Sequence, residues 1–261
     1  MRLFVVLLCL VALLGVSLQA APMRAATKVA LNATTHFTLD KNEQQDFAVQ
    51  LPVGSYYIVC DLARMDERAD TIIGQVQLLK ANGAMVKDRL LRFAEMGPVM
   101  RVGDKFAIAK PLSARFRVLN TDEPIEVWMT IIPAKQMKFI PYAFKNGDLK
   151  PLGIGTEEGK GGTLNHREYA FHSIKLKPGK YDVSLYFQGL SGKSDSLIGS
   201  RDRYDAYGFR VPLWNINLGS VGLEARKDKQ LILTKEQTVI LRAFNSDNPA
   251  EYTIGIEKSE D

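Results

Sequence analysis

Leu51-Pro52-Val53-Gly54-Ser55-Tyr56-Tyr57-Ile58-Val59-Cys60-Asp61-Leu62 returns 125 residues later as Leu176-Lys177-Pro178-Gly179-Lys180-Tyr181-Asp182-Val183-Ser184-Leu185-Tyr186-Phe187. In each copy a Pro/Gly turn feeds a segment whose apolar residues alternate. Tyr56, Ile58, Cys60 and Leu62 face one way and Tyr57, Val59 and Asp61 the other, as in a strand with one buried face. The offset persists outward from this stretch. Asp70-Thr71-Ile72-Ile73-Gly74 falls on Asp195-Ser196-Leu197-Ile198-Gly199, and Gly83 falls on Gly208. Arg101 falls on Arg226, and Asn120-Thr121-Asp122-Glu123-Pro124 on Asn245-Ser246-Asp247-Asn248-Pro249. A constant offset over this span, present twice, marks a domain-sized internal duplication rather than a solenoid.

Between the matched positions lie short apolar-alternating runs: Phe47 to Leu51, Ile72 to Leu79, Phe106 to Ile108, Phe116 to Leu119 and Val127 to Ile132. Gly, Pro, Asn and Asp separate them, and Asn82-Gly83 is a strong hairpin signal. Only Asp88 to Met96 suggests a helical turn or two. The expected fold is all-β, with two tandem antiparallel β-sandwich or jelly-roll domains. The boundaries expected are 1–20 for a signal peptide, 21–34 for a flexible lead-in, 35–133 for the first domain, 134–162 for a partly packed linker, and 163–258 for the second domain. Met137, Phe139, Ile140, Tyr142 and Phe144 make the first half of that linker too apolar for a free tether.

The chain has 261 residues, 34 basic against 29 acidic. Arg2, the apolar run Leu3 to Val16 and the small residues ending at Ala20 have the form of a cleaved secretory signal. A membrane anchor is the competing reading, but the run is shorter than the ~20 residues a spanning helix needs. Cleavage after Ala20 removes only Arg2 among the charges, taking the net charge from +5 to +4. No dense Lys/Arg block follows, so nucleic acid is not an expected partner. No later apolar run is long enough to span a membrane, and Cys60 is the one cysteine after residue 20, which excludes an internal disulfide. The implied location is secreted or periplasmic.

The duplication acts as a filter, since positions the fold requires should match in both copies. Gly54/Gly179, Gly74/Gly199, Asn120/Asn245 and Pro124/Pro249 read as turn residues. Arg117/Arg242 reads as a structural ion pair, with Asp70/Asp195 as the expected carboxylates. Cys60 matches Leu185 and reads as a buried, inert thiol. Trp128 and Trp214 instead match Thr253 and Arg89. Both are candidates for exposed aromatics that stack on sugar rings or anchor a protein, as are Tyr204 and Tyr207 in their charged loop. The alternative is that they pack beneath the linker or between the domains. Asp61, Asp66, Glu67 and Asp70 cluster in sequence but match Tyr186, Ser191, Gly192 and Asp195, so no metal site is expected. His166 and His172 lack partners at metal spacing and read as solvent-facing or capping residues.

The turn at Leu51 to Tyr56, the segments Arg117-Val118-Leu119-Asn120 and Arg242-Ala243-Phe244-Asn245, and the final strand of Val127, Met129 and Ile131 together resemble bacterial pre-peptidase C-terminal-type (PPC-like) domains. The resemblance covers both repeats. It implies secreted β-sandwich modules that bind surfaces, matrix or polysaccharide. No catalytic motif appears, and no cofactor is expected. The expected function is a non-catalytic binding or adhesion module for polysaccharide or a cell-surface or envelope protein. The alternatives are a structural subunit of a cell-envelope complex and a jelly-roll hydrolase with a carboxylate pair.

Overall fold

The computed structural model describes residues 25–65, 71–96, 98–155, 160–190 and 195–259. The signal-peptide segment, residues 1–20, lies outside them. The first repeat contains β1 (Thr27–Lys28), β2 (Thr34–Leu39), β3 (Gln44–Leu51), β4 (Gly54–Arg64), β5 (Thr71–Lys80), β6 (Met85–Met96), β7 (Val99–Ile108), β8 (Leu112–Asn120) and β9 (Ile125–Pro133). The second contains β10 (Leu149–Pro151), β11 (Lys160–Leu164), β12 (Tyr169–Leu176), β13 (Gly179–Gly189), β14 (Asp195–Tyr204), β15 (Arg210–Gly222), β16 (Glu224–Leu233), β17 (Gln237–Asn245) and β18 (Ala250–Lys258). Asp88 to Met96 lies in β6, so the suggested helical turn is a strand.

Each repeat folds into two facing sheets. In the first the strand orders are β2-β9-β4-β7 and β1-β3-β8-β5-β6, and in the second β11-β18-β13-β16 and β10-β12-β17-β14-β15. Apart from the short parallel edge strands β1 and β10, consecutive strands interleave across two four-stranded sheets. That is the jelly roll, two tandem copies of it. The register repeats at the same offset: Cys60 pairs with Met129 and Leu185 with Ile254, and Gly74 pairs with Asn120 and Gly199 with Asn245. Residues read as lead-in and linker also belong to the sheets. β1 falls within 21–34, and β10 and most of β11 fall within 134–162, because each copy begins with a short strand paired parallel to its third.

The duplicated stretch is the corner where the chain leaves one sheet and enters the other. Tyr56 is buried, and its hydroxyl donates to the Pro52 carbonyl at 2.8 Å; Tyr181 does the same to Lys177 at 3.0 Å. Each phenol thus satisfies a carbonyl four residues back, which pins the corner while its ring fills the core. Gly74 and Gly199 are not turn residues. They lie mid-strand, where an added Cβ would sit 2.4 Å from the Phe93 ring and 2.3 Å from the Phe187 ring. Gly83 and Gly208 do turn the chain, with φ of 85° and 84°.

The alternating apolar residues fill one core per sandwich, around Phe47, Ile58, Phe93 and Phe116 in the first and Leu185, Phe187, Leu241 and Ile254 in the second. Cys60 is wholly buried, and burial pushes its thiol well above the usual range, so it is inert packing. Core chemistry changed between the copies at a few positions. Phe47 and Val127 in the first match buried His172 and Tyr252 in the second, which share a 2.9 Å hydrogen bond. His172 is therefore a core residue, contrary to the solvent-facing expectation. His166 is exposed, with Nδ1 3.2 Å from the Asp247 carbonyl.

Asn120 and Asn245 tie the loops at one end of each sandwich. The Asn245 carboxamide nitrogen donates to the carbonyls of Leu164, Asn165 and Asn248, and its oxygen accepts from the Asp247 N–H. Asn120 makes the matching set with Leu39, Asp40, Glu123 and Asp122. Replacing Asn245 with Ala strands several buried carbonyls, each worth roughly 1–3 kcal/mol. Asn245→Ala is expected to lower the stability of the second sandwich by about 2–4 kcal/mol in urea unfolding followed by tryptophan fluorescence.

Candidate functional site

The two sandwiches meet face to face with the linker between them. The outer surface of β4, β7 and β9 in the first domain opposes that of β12, β14 and β17 in the second. Tyr142 and Phe144 of the linker pack with Val99, Phe171, Tyr204 and Ile240 into a third apolar cluster. Tyr142 lies 4.5 Å from Phe171 between ring centroids and donates to the Gly208 carbonyl at 3.0 Å.

Two arginines cross this contact. Arg101 on β7 forms a bidentate pair with Asp61 at 2.6 and 2.7 Å, and also donates to the carbonyls of Ile140, Pro141 and Tyr207. The Tyr142 ring lies 4.2 Å from its guanidinium. Asp61 accepts a further bond from the Ala143 N–H, so both partners tie the first domain to the linker. Arg242 on β17 reaches the other way. It donates to the Val99 carbonyl of the first domain at 2.9 Å and to Asp202 at 2.6 Å. Burial opposes its charge, but Tyr204 and Asp202 outweigh that and hold the guanidinium above its usual range. Arg117, its repeat partner, pairs with Asp46. The carboxylates for Arg117 and Arg242 are therefore Asp46 and Asp202. Asp70 and the Asp195 side chain, the expected partners, lie outside what is described.

The linker rings fill only part of the contact. Beside them opens a cavity of about 630 Å³, within the range of small-ligand sites. Arg64 and Ala94 line it from the first domain, and Arg167, Arg210 and Arg242 from the second. Ser200, Asn215, Asn217 and Ser246 add neutral polar groups, and Ile198, Leu218 and Phe244 an apolar flank. Among the described residues Asp202 is the lone carboxylate of the lining, and its two oxygens are taken by Arg210 at 2.8 Å and Arg242 at 2.6 Å. The described lining thus carries four guanidiniums and one carboxylate, a set whose chemistry suits an anionic group.

Arg167 adds a conformational signal. Among the described residues it has a left-handed φ of 59°, which its repeat partner Asn42 shares at 60°. Asn tolerates that region well and a long side chain does not. The second copy therefore holds an arginine in a conformation it disfavours, at the wall of the cavity.

The four aromatic candidates fall elsewhere. Trp214 is 9% exposed and lines the second core, its indole N–H donating to the Gln230 carbonyl at 3.2 Å. The guanidinium of Arg201, buried in the same core, lies 5.8 Å from the ring and donates to the Val183 and Ser184 carbonyls. Tyr204 is 1% exposed, within the interdomain cluster. Burial pushes its phenol well up, so it stays neutral. Neither ring presents a face to a ligand, which corrects the expectation of exposure. Trp128 is half-buried at the edge of the same cluster, with His36 stacked on it at 4.8 Å. Tyr207, 38% exposed, stands 6.2 Å from Tyr57 across the contact. None of the four lines the cavity. The residues that do were passed over, although Arg64, Arg167 and Arg210 match Gly189, Asn42 and Met85, the kind of divergence the repeat exposes.

Two outcomes follow from this geometry. Asp61→Ala leaves the Arg101 charge buried without its partner, at an expected cost of about 3–5 kcal/mol. Limited trypsin digestion should then cut at Lys138 or Lys145 faster than in the parent, whereas Asp228→Ala, at the exposed pair with Arg226, should leave the digestion pattern unchanged. Arg167→Asn relieves left-handed strain of about 1 kcal/mol and is expected to leave the midpoint unchanged or raised in the same unfolding measurement.

No protein-family model matches the chain, and no curated protein matches it. Among solved structures the similarities are low. The tandem CBM22 domain from Paenibacillus barcinonensis Xyn10C is 9% identical, with 89% of this chain and 93% of that one covered at a TM-score of 0.28. Arthrobacter globiformis T6 isomalto-dextranase complexed with panose is 15% identical over 80% of this chain and 35% of that one, with a TM-score of 0.29. A triple jelly-roll protein of an archaeal virus is 9% identical over 89% and 54%, with a TM-score of 0.27. Likeness at such scores carries no argument, and no ligand or residue role passes from those proteins to this one.

Proposed function

We propose that this chain is an exported, non-catalytic binding module that takes an acidic polysaccharide in the cavity between its two jelly rolls. The carrying observation is the cavity wall, where Arg64, Arg167, Arg210 and Arg242 come together among the described lining residues. An anionic ligand gains there from guanidinium forks in a partly desolvated setting, where charge-assisted hydrogen bonds are stronger than on open surface. Neutral amides and hydroxyls beside them suit a ligand that also carries many hydroxyl groups.

Binding fits this wall better than hydrolysis. Glycoside cleavage uses two carboxylates about 5–9.5 Å apart. Here the one carboxylate of the described lining is engaged by two arginines and has no second acid beside it. Among the described residues no group of His, Cys, Asp or Glu stands together as a metal would need, and no helix is long and apolar enough to cross a membrane. Export rests on the signal-like character of residues 1–20, and the PPC-like resemblance agrees with a secreted surface-binding role.

Isothermal titration of the full chain without residues 1–20 against acidic and neutral oligosaccharides of equal length tests the proposal. Acidic chains are expected to bind, and raising the salt from 0.05 to 0.5 M, about a threefold drop in Debye length, should weaken them by about tenfold or more. Arg210→Gln should weaken binding by at least a further tenfold, about 1.4 kcal/mol. Equal affinity for neutral and acidic chains would overturn the reading.

A further inference from the structure

Independently of the interdomain cavity, we infer that the second sandwich binds an oxyanion inside its open side, between β14, β15 and β16, where Arg201 holds a buried charge without a counter-charge. Arg201 is wholly buried. Its Nη1 and Nη2 donate to the Ser184 and Val183 carbonyls of β13, and its Nε has no hydrogen-bond partner. Carbonyls satisfy donors but leave the charge uncompensated, and a guanidinium in that state costs several kcal/mol. Among the described residues no Asp or Glu forms an ion pair with Arg201 or with Arg203, whose Nε is also unpartnered.

Four basic residues face inward here. Arg201 and Arg203 stand opposite the core residues Ala243 and Leu241, so both share the inner face of their sheet. Lys227 and Lys229 on β16 stand opposite Leu185 and Val183 of the same core. In the first copy the positions of Arg201, Arg203 and Lys227 hold Val76, Leu78 and Val102, and that of Lys229 holds Asp104. Three aliphatic positions have become cationic together, on two facing sheets. The neighbouring acids are occupied elsewhere: Asp228 pairs with Arg226 on the outer face of β16, and Asp205 accepts from the Tyr207 and Phe209 N–H groups. Burial pulls the Arg201 guanidinium down to about 9 and lowers Arg203 as well, and Asp228 and Asp205 offset only part of this.

The way in is the seam between the sheets. β15 and β16 are the outermost strands on this side and belong to different sheets. Among the described residues side chains, not a backbone ladder, span them: Trp214 donates to the Gln230 carbonyl, Lys227 to Asn217 at 2.9 Å and Lys229 to Asn215 at 3.1 Å. The Trp214 ring closes the seam, with the Arg201 guanidinium 5.8 Å and the Lys229 ammonium 5.6 Å from its centre. An oxyanion behind it meets Nε of Arg201, half-buried Arg203 and the ammonium groups of β16, and supplies the missing charge. Carboxylate, sulfate and phosphate share that chemistry, free or carried on a larger molecule.

The test follows the thermal midpoint and the Trp214 emission of the chain without residues 1–20, in a Trp128→Phe background. Inorganic phosphate, sulfate, acetate and glycerol phosphate are titrated, with sodium chloride holding the ionic strength constant. At least one oxyanion is expected to raise the midpoint and shift the emission saturably. Arg201→Met, an apolar chain where the first copy has Val76, should hold or raise the midpoint without anion and abolish the response. Arg203→Leu, the residue of the first copy, should weaken it at least about tenfold, and decides the matter where Arg201→Met fails to fold. Arg226→Gln removes an equal charge from the outer face of β16 and should leave the response unchanged. Glycerol phosphate binding tighter than phosphate assigns the anion to a larger ligand, and the reverse order to the free ion. No saturable response to any of the four, or one that persists in Arg201→Met and Arg203→Leu, would overturn the site.

Discussion

A guanidinium taken out of water costs several kcal/mol unless each of its donors and its charge are met. Two of them stand in the contact between these domains. Arg101 is satisfied only when Asp61, the linker carbonyls of Ile140 and Pro141 and the loop carbonyl of Tyr207 converge on it. Arg242 needs Asp202 from its own domain and the Val99 carbonyl from the other. Sliding or rotating one sandwich against the other would strand a buried charge, so the relative placement of the domains follows from these bonds more than from the apolar cluster they flank. Apolar contacts tolerate shifts that directed hydrogen bonds do not. The cavity exists because that placement is held while the linker rings fill only part of the gap.

The duplication explains both what recurs and what does not. Corner tyrosines, loop-tying asparagines and the mid-strand glycines recur because each meets a demand made by the jelly roll itself. Asp61 and Arg101 have as counterparts Tyr186 and Arg226, and the latter lies on the surface beside Asp228. The same strand face is an interface in the first copy and an open surface in the second, so the matching arginine has no burial to justify and its pairing is worth little. Likewise the hairpin tip at Gly83 is free, whereas its copy at Gly208 packs under Tyr142 and Arg101, and Phe209 beside it rests on Gly103, where a Cβ would lie 2.3 Å from the ring.

Architecture was legible in the sequence because strand alternation, corner chemistry and a constant offset are local or periodic signals. The corner at Leu51 to Leu62 foretold two sandwiches, and the burial of Cys60 followed from its match to Leu185. Trp214 and Tyr204 are buried, and for Trp214 the reason is physical. A polar residue in the other copy does not by itself mark an exposed position, because Trp214 and Arg201 changed together. Their counterparts are Arg89, mostly exposed, and Val76, fully buried. The second core absorbed an arginine, and a large indole closes over it, so exposure at one copy says nothing about the other once the neighbouring residue has also changed. The cavity was illegible for another reason: Arg167, Arg210 and Arg242 are far apart in sequence and meet only in the folded second sandwich, and Arg64 joins them only when the first docks on it.

A site built on this plan has to arise where the two copies differ. A jelly roll's requirements are the same in each repeat, so residues serving the fold alone are held alike, and a charge surplus gathers only at positions released from that demand. Arg64 replaces what is glycine in the other copy, Arg210 what is methionine, and Arg167 the asparagine that its left-handed backbone prefers. The first two changes carry little conformational cost. The third does, since a β-carbon and long side chain at φ 59° are disfavoured. Arg242 alone is shared, and it is the one that also serves the interface. The wall therefore divides into one residue that both copies keep and that the interface uses, and three at positions where the copies differ.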